Sequence, residues 1–440
     1  MDKKFEMNRR SLLKGSAAAA TIATVGADQL LNYATAWAQA SPFKAEAGAK
    51  INVLRWRRFV EAEDKAFMAM VDAFQKATGV SVTITNESFE DVQPKASVAA
   101  NTGSGLDMVW GLYSLPHLFP EKCLDMSQVA DYLGKKYGGW TPSAEAYGKS
   151  KGKWICLPVA TTGGLMNYRI SSMNKAGFKE FPKDTGAFLE LVKALKKNNT
   201  PAGFALGHAS GDANTWLHWA LWSHGGNLVD KDDKVVINSP ETAKSLAYVK
   251  ELYDNFVPGT ASWNDSSNNK AFVAGELHLT SNGISVYVTA SRENKPVAED
   301  MDHAYMPIGP VGRPTELHLA FPILTFSFTK FPNACKAFAA FMQEAENFNP
   351  WIEAAQGYLS HFLNAYDKNP VWTADPKRTV YRDVSKRTLT PGGLGSLGEK
   401  AAAAIADFVV VDMFANYCTG REDIKGAIAI AERQARRIYR

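Results

Sequence analysis

Residues 74–82, Phe74-Gln75-Lys76-Ala77-Thr78-Gly79-Val80-Ser81-Val82, decide how the chain is read. Upstream, apolar Phe67, Met70, Val71 and Phe74 recur at helical spacing. The Thr-Gly pair ends that helix, because glycine tolerates the left-handed backbone that closes a helix. From residue 80 to 85 apolar and polar residues alternate, the period of a strand. Working outward, residues 51–56 read as a short strand joined to the helix by a loop over 57–61. On the other side, a helix over 92–100 ends in the turn Asn101-Thr102-Gly103-Ser104-Gly105, and residues 106–110 form a third, fully apolar strand. Strands alternating with helices predict an α/β fold in which mostly parallel sheets are flanked by helices.

Further along, residues 154–159 read as a strand that continues through Ala160-Thr161-Thr162-Gly163-Gly164 into Leu165-Met166-Asn167-Tyr168-Arg169. Two strands joined by small residues predict a crossing between two lobes, where torsions change without breaking packing. Helices are expected over 185–197, 213–223, 240–253 and 268–274, with Ser239-Pro240 as a cap and first turn. The last part is strongly helical, over 333–346, 349–355, 397–415 and 423–437.

The first residues read as an address. Asn8-Arg9-Arg10-Ser11-Leu12-Leu13-Lys14 precedes a small, weakly apolar run, and Ala36-Trp37-Ala38 and Ala38-Gln39-Ala40 offer cleavage points. Paired arginines before Leu-Leu-Lys resemble a twin-arginine export signal, so residues 1–38 are expected to be a leader and the rest a soluble periplasmic protein. No later segment is expected to reach the ~20 apolar residues of a membrane span.

The 440 residues carry 49 Lys+Arg, 45 Asp+Glu and 46% hydrophobic residues, an ordinary globular composition for two or three domains. Without the first 40 residues the net charge falls from +4 to about +2, giving no reason to expect nucleic acid or an anionic membrane as partner. Cys123, Cys156, Cys335 and Cys418 are far apart, and disulfide pairing stays open. There is no phosphate loop, no His-Glu-x-x-His and no Gly-x-Ser-x-Gly, and His208, His218 and His224 have no metal-ligand spacing. No cofactor or metal is expected; Tyr113 with His117 is the one weak suggestion. Glu61 and Glu63, at a helix start, read as surface groups matching the helix dipole.

The aromatic residues (11 Trp, 15 Tyr, 23 Phe) carry more information. Trp56 closes the first strand, Trp110 and Tyr113 the third, Trp216 shares a helix with Trp219 and Trp222, and Trp263 lies in a polar loop. Ligands of α/β sheets gather beyond the carboxyl ends of strands. Trp56 with Arg57 and Arg58, and Trp110 with Tyr113 and Ser114, are therefore expected on neighbouring rims of one cleft. Ring faces cover the C–H face of a sugar while polar groups bond its hydroxyls. Core-capping tryptophans and solvated arginines are the competing reading.

Several segments together resemble the periplasmic sugar-binding proteins of ABC importers, the family of the maltose-binding type. They are residues 74–82, Gly105-Leu106-Asp107-Met108-Val109-Trp110, Leu157-Pro158, Trp216 with Gly225-Gly226, and Phe272-Val273-Ala274-Gly275-Glu276-Leu277. The resemblance implies two lobes, 50–159 with 310–358 and 160–309 with 359–440, hinged near 160–163, 307–310 and 358–361. It implies a non-enzymatic, monomeric protein that captures a sugar, small oligosaccharide or polyol and delivers it to a membrane permease. An exported carbohydrate-active enzyme is the alternative. By local match, ligand contacts fall on Trp56, Arg57, Arg58, Trp110, Tyr113, Ser114, Thr161, Thr162, Asn214, Trp216, Trp263, Ser281, Asn282 and Gly283. Two places depart from the pattern: Ile284-Ser285 follow Asn282-Gly283 where relatives often stack a tryptophan, and Ala320-Phe321-Pro322 replace paired glycines.

Overall fold

The computed structural model describes residues 26–440; the paired arginines and the start of the apolar run lie outside the described residues. Strands follow in chain order as β1 (Lys50–Trp56), β2 (Ser81–Glu87), β3 (Met108–Trp110), β4 (Lys149–Ser150), β5 (Lys153–Trp154), β6 (Leu157–Thr162) and β7 (Leu165–Arg169). Then come β8 (Leu279–Asn282), β9 (Met301–Ala304), β10 (Glu316–Leu317), β11 (Leu319–Thr325), β12 (Ser360–His361) and β13 (Thr388–Leu389).

Two sheets organise the molecule. The larger has the order β12-β6-β11-β3-β1-β2 and the smaller β8-β7-β9. In the first, β1 runs parallel to β2 from Lys50 against Ser81 to Trp56 against Glu87, and parallel to β3. The helix Glu61–Thr78 makes the first crossover, buries Phe67, Met70, Val71 and Phe74, and ends at Gly79 with φ 74°. Parallel strands need such crossovers, and the helix Val92–Thr102 supplies the next one, into β3. In the rest of the two main sheets the expectation of parallel pairing is corrected. Strand β11 is antiparallel to β3 and β6, β12 to β6, and β8 and β9 to β7. These strands enter from the other sheet or leave toward it, so they run against their neighbours.

The predicted crossing is present. β6 ends at Thr162 in the large sheet, and after Gly163-Gly164 the chain opens the small one as β7. The chain returns between β9 and β11, and β12 places Ser360 against Thr161 on the edge of the large sheet. Helices Thr185–Lys197 and Pro240–Tyr253 occupy the expected residues, the second with Ser239 accepting from the Thr242 N–H.

The helix expected over 397–415 is two, Glu399–Ala406 and Val409–Cys418, broken where Phe408 takes φ 54°. The His208 ring lies 4.4 Å above Phe408, nearly parallel to it, and holds the break. Residues 399–418 do reach the length and apolar composition of a membrane span, contrary to expectation, but the break divides them and more than half of the stretch is buried in the body. All four cysteines are free thiols. Residues 26–40, read from the sequence as mostly leader, form a helix packed on the large sheet's helices.

Gly309, in the return crossing, has no room for a side chain, since a Cβ there would run into the Ser223 carbonyl oxygen. Gly309→Ala is expected to destabilise the protein by about 1–3 kcal/mol through overpacking against backbone. Thermal unfolding of the variant beside the parent checks it.

Candidate functional site

At the carboxyl ends of β1 and β3 the chain places a cation–aromatic wall. Trp56 and Trp110 have no exposed surface. The Arg58 guanidinium carbon lies 3.8 Å from the Trp56 ring centre and 4.2 Å from that of Trp110. Behind it, Arg55 lies 3.9 Å above Phe67. One fully buried carboxylate, Glu63, binds the group together, with Arg58 Nε at 3.1 Å, Arg55 Nη2 at 3.3 Å and the Trp351 indole N–H donating at 2.7 Å. Glu63 is thus corrected from a surface group to the anchor of two buried cations; Glu61 stays exposed. Burial, then the neighbouring Arg58 charge, lowers Arg55 to about 9, and burial also lowers Arg58. Breaking such a group costs several kcal/mol, which makes the wall rigid.

In front of this wall a small cavity of about 30 Å³ opens between the sheets. Phe59 follows β1, Phe89 follows β2, and Thr162, Leu319 and Tyr358 come from β6, β11 and the approach to β12. The opposite side carries Gly164, Gly211, Asp212, Thr215, Asp265, Asn282, Gly283 and Ser285. Phe59 and Tyr358 stand with ring centres 6.4 Å apart, and Phe59 and Phe89 6.0 Å.

Asp265 dominates the polar side. Its Oδ1 accepts the N–H groups of Gly211 at 2.9 Å and Asp212 at 2.8 Å, serving the start of the helix Asp212–Ser223 as a remote cap. Its Oδ2 is buried without a donor, as is the Thr162 hydroxyl on the facing sheet. Asp212 Oδ2 accepts from Asn268 at 2.8 Å and Asn282 at 3.1 Å, and Asn282 Oδ1 accepts the Gly283 N–H. Burial, then the Asp265 charge, raises Asp212 well above the usual carboxylate range. Burial pushes Asp265 up to about 7 against the pull of its two N–H donors, with Glu90 adding to the rise. The cavity therefore combines ring walls with acceptors that lack donors, which suits a ligand rich in hydroxyl groups.

A second cavity of about 140 Å³ adjoins it and shares Phe89; Tyr113, Ser114 and Asn214 line it beside Glu90, Gln93 and Phe408. Tyr113 spans to the opposite side, its hydroxyl 2.9 Å from the Gly211 carbonyl oxygen and 3.1 Å from Thr215 Oγ1. It does so at φ 48°, a conformation that costs a bulky residue about 1–3 kcal/mol.

Of the residues singled out in the sequence, Thr162, Asn282 and Gly283 line the first cavity and Tyr113, Ser114 and Asn214 the second. The others stand elsewhere. The Trp56 and Trp110 faces are covered by Arg58 and neighbouring rings, so both back the wall. Arg57 is exposed and extends the pairing of β1 through its N–H to the Glu87 carbonyl. Trp216 is buried, its indole donating to the Ala205 carbonyl at 2.6 Å and its ring packed on Phe204 and Phe256. Thr161 donates to the Leu319 carbonyl, Ser281 is buried, and Trp263 packs over Gly203. The sequence reading missed Phe59, Phe89, Asp212, Thr215, Asp265 and Tyr358. Asp265 lies two residues past Trp263 in Trp263-Asn264-Asp265, a polar loop with acidic and amide groups that signalled it. Among the described residues no cluster of His, Cys, Asp and Glu has the arrangement of a metal site.

The sequence pattern of the bacterial extracellular solute-binding protein family matches residues 69–380. A probable ABC transporter-binding protein of Deinococcus radiodurans is 21% identical over 291 residues, 62% of this chain and 68% of the relative. The solved structure of maltose-bound MalE3 of T. maritima superposes with a TM-score of 0.76 at 18% identity, over 89% of this chain and 100% of that one. An ABC transporter solute-binding protein of Agrobacterium vitis with bound D-mannitol gives 0.73 at 15% identity, over 89% and 98%.

An unfolded aspartate ionises near 3.9, whereas Asp265 holds its proton in the fold up to about 7. Between those values the native state binds more protons than the unfolded one, so this residue makes stability fall as pH rises, levelling off above about 7. Asp265→Asn keeps the cap acceptor and removes the charge. Without ligand it is expected to flatten that slope and gain about 2–4 kcal/mol at pH 8, read from denaturant unfolding across pH 4–8.

Proposed function

Because the chain belongs to the bacterial extracellular solute-binding protein family, we propose that it captures a sugar, small oligosaccharide or polyol between its two sheets and delivers it to the permease of an ABC importer. The observation that carries this reading is that Asp265 and Thr162 line one ring-walled cavity, with Asp265 Oδ2 and Thr162 Oγ1 both buried and neither hydrogen-bonded. A hydroxyl-bearing solute supplies both missing partners while its C–H faces lie against Phe59, Phe89 and Tyr358. Maltose and D-mannitol, bound by the two structural relatives, are solutes of this chemistry.

The proposed lobes are residues 50–159 with 310–358, and 160–309 with 359–440, with β12 inside the third hinge. Segments 160–163, 307–310 and 358–361 act as hinges. Contacts between the sheets, such as the Tyr113 hydroxyl on Gly211 and Thr215, exist only when the lobes are closed. A solute that touches both sides favours closure by its differential affinity, and the closed shape is what the permease reads. The protein acts as a monomer in the periplasm, reached through the twin-arginine leader, and performs no chemistry on its solute. Asp212 and Asp265 do not work as a hydrolytic pair here, since one is clamped by two amides and the other by a helix start.

A thermal-shift panel of neutral sugars and polyols, maltose and D-mannitol among them, tests the reading. A solute at about 100 times its Kd adds about 2.7 kcal/mol, a rise of several degrees in Tm. Asp265→Ala is expected to weaken that solute at least about tenfold by calorimetry. A response to anionic metabolites alone contradicts the reading.

A further inference from the structure

The expected leader ends at Ala38 or Ala40, yet the packing of residues 26–40 ties them to the folded body. Ala34 is fully buried and Trp37 is 6% exposed. The Trp37 ring meets Phe341 edge-on at 5.0 Å and Phe74 at 6.3 Å, and Tyr33 stacks on Phe341. The Trp37 indole N–H donates to Glu344 at 3.0 Å. That carboxylate has no exposed side-chain surface and also takes Tyr132, Tyr137 and Lys136 at 2.8, 2.5 and 2.6 Å. The helix end is secured as well. Lys44 Nζ donates to the Ala38 and Gln39 carbonyls, the Ser41 N–H to the Trp37 carbonyl, and Phe43 packs edge-on against Tyr132.

A cut after Ala38 or Ala40 would remove Trp37 and Tyr33 together. Phe74 and Phe341 would lose their cover, and the buried Glu344 one of its four donors, the kind of loss that makes a core costly to open. A cut in the first turn of the helix removes none of these contacts. The sequence offers one there: Val25-Gly26-Ala27 places alanine one position and valine three positions before the Ala27–Asp28 bond, and Gly26, Ala27 and Asp28 are exposed.

We propose that the helix is a permanent part of the mature protein and that the leader is removed by hydrolysis of the Ala27–Asp28 peptide bond. This rests on the export reading but not on the identity of the solute. Water adds across the amide, leaving the Ala27 carboxylate on the leader and a free Asp28 amine as the new terminus. The exported chain keeps 28–440 as its body, with the first strand preceded by a structural helix.

Full-length protein expressed with its own leader and recovered from the periplasm tests this by intact mass and amino-terminal sequencing. A chain beginning at Asp28 supports the proposal. One beginning at Gln39 or Ser41 overturns it, and an exported but uncut chain overturns the processing site. A chain found only in the cytoplasm overturns the export reading instead, which separates the two failures. Trp37→Ala in the same full-length chain gives an independent readout. It is expected to lower the Tm of the exported protein by roughly 5–10 °C. An unchanged Tm overturns the structural role of the helix.

Discussion

A carboxylate buried with one oxygen spent and the other without a donor is a costly arrangement, and the cleft is organised around it. Asp265 gives Oδ1 to the first N–H groups of the helix Asp212–Ser223, which fixes where that helix begins. The helix start in turn sets Asp212 against the amides of Asn268 and Asn282, and so joins the loop, the helix and the end of β8 into one polar surface. Water is largely kept from Oδ2, so the group holds its proton to about 7 unless a donor arrives. A protein that keeps such a group has given up stability at a place where a ligand restores it.

The opposite side works by rigidity. Two arginines share the Glu63 carboxylate and lie on three aromatic rings, so the ends of β1 and β3 are held behind the cleft. The tryptophans fix the backbone from which Phe59 and Phe89 project. At Gly163-Gly164 two small, buried residues separate the last residue of one sheet from the first of the other. A stiff wall, a polar surface and a small-residue link are the parts that lobe closure on a hydroxylated solute requires.

Much of the fold was legible because its signals are local. The helix ending at Gly79, the strands beside it, the Ser239 cap and the small residues over 160–164 each declare themselves within a few positions. What a side chain meets is not local. The place of Trp56 at the end of a strand was readable, but not that Arg58, two residues on, folds back over its ring. Asp212 and Asp265 are brought together by a helix start and a loop 53 positions apart, and Phe59 meets Tyr358 only through the order of the strands. The break at Phe408 answers to His208, far away in the chain, and so left no mark on the apolar pattern. The helix over 26–40 was obscured for another reason, since the alanine-rich composition of an address is also that of a packed helix.

The most direct test is a crystal structure of the protein grown with the solute that binds it. A hydroxyl of that solute should lie about 2.6–3.0 Å from Asp265 Oδ2, with its C–H face against Phe59 or Tyr358 and both sheets in contact with it. A solute seated outside the two sheets, or an Asp265 Oδ2 still without a donor in the filled protein, would contradict the account.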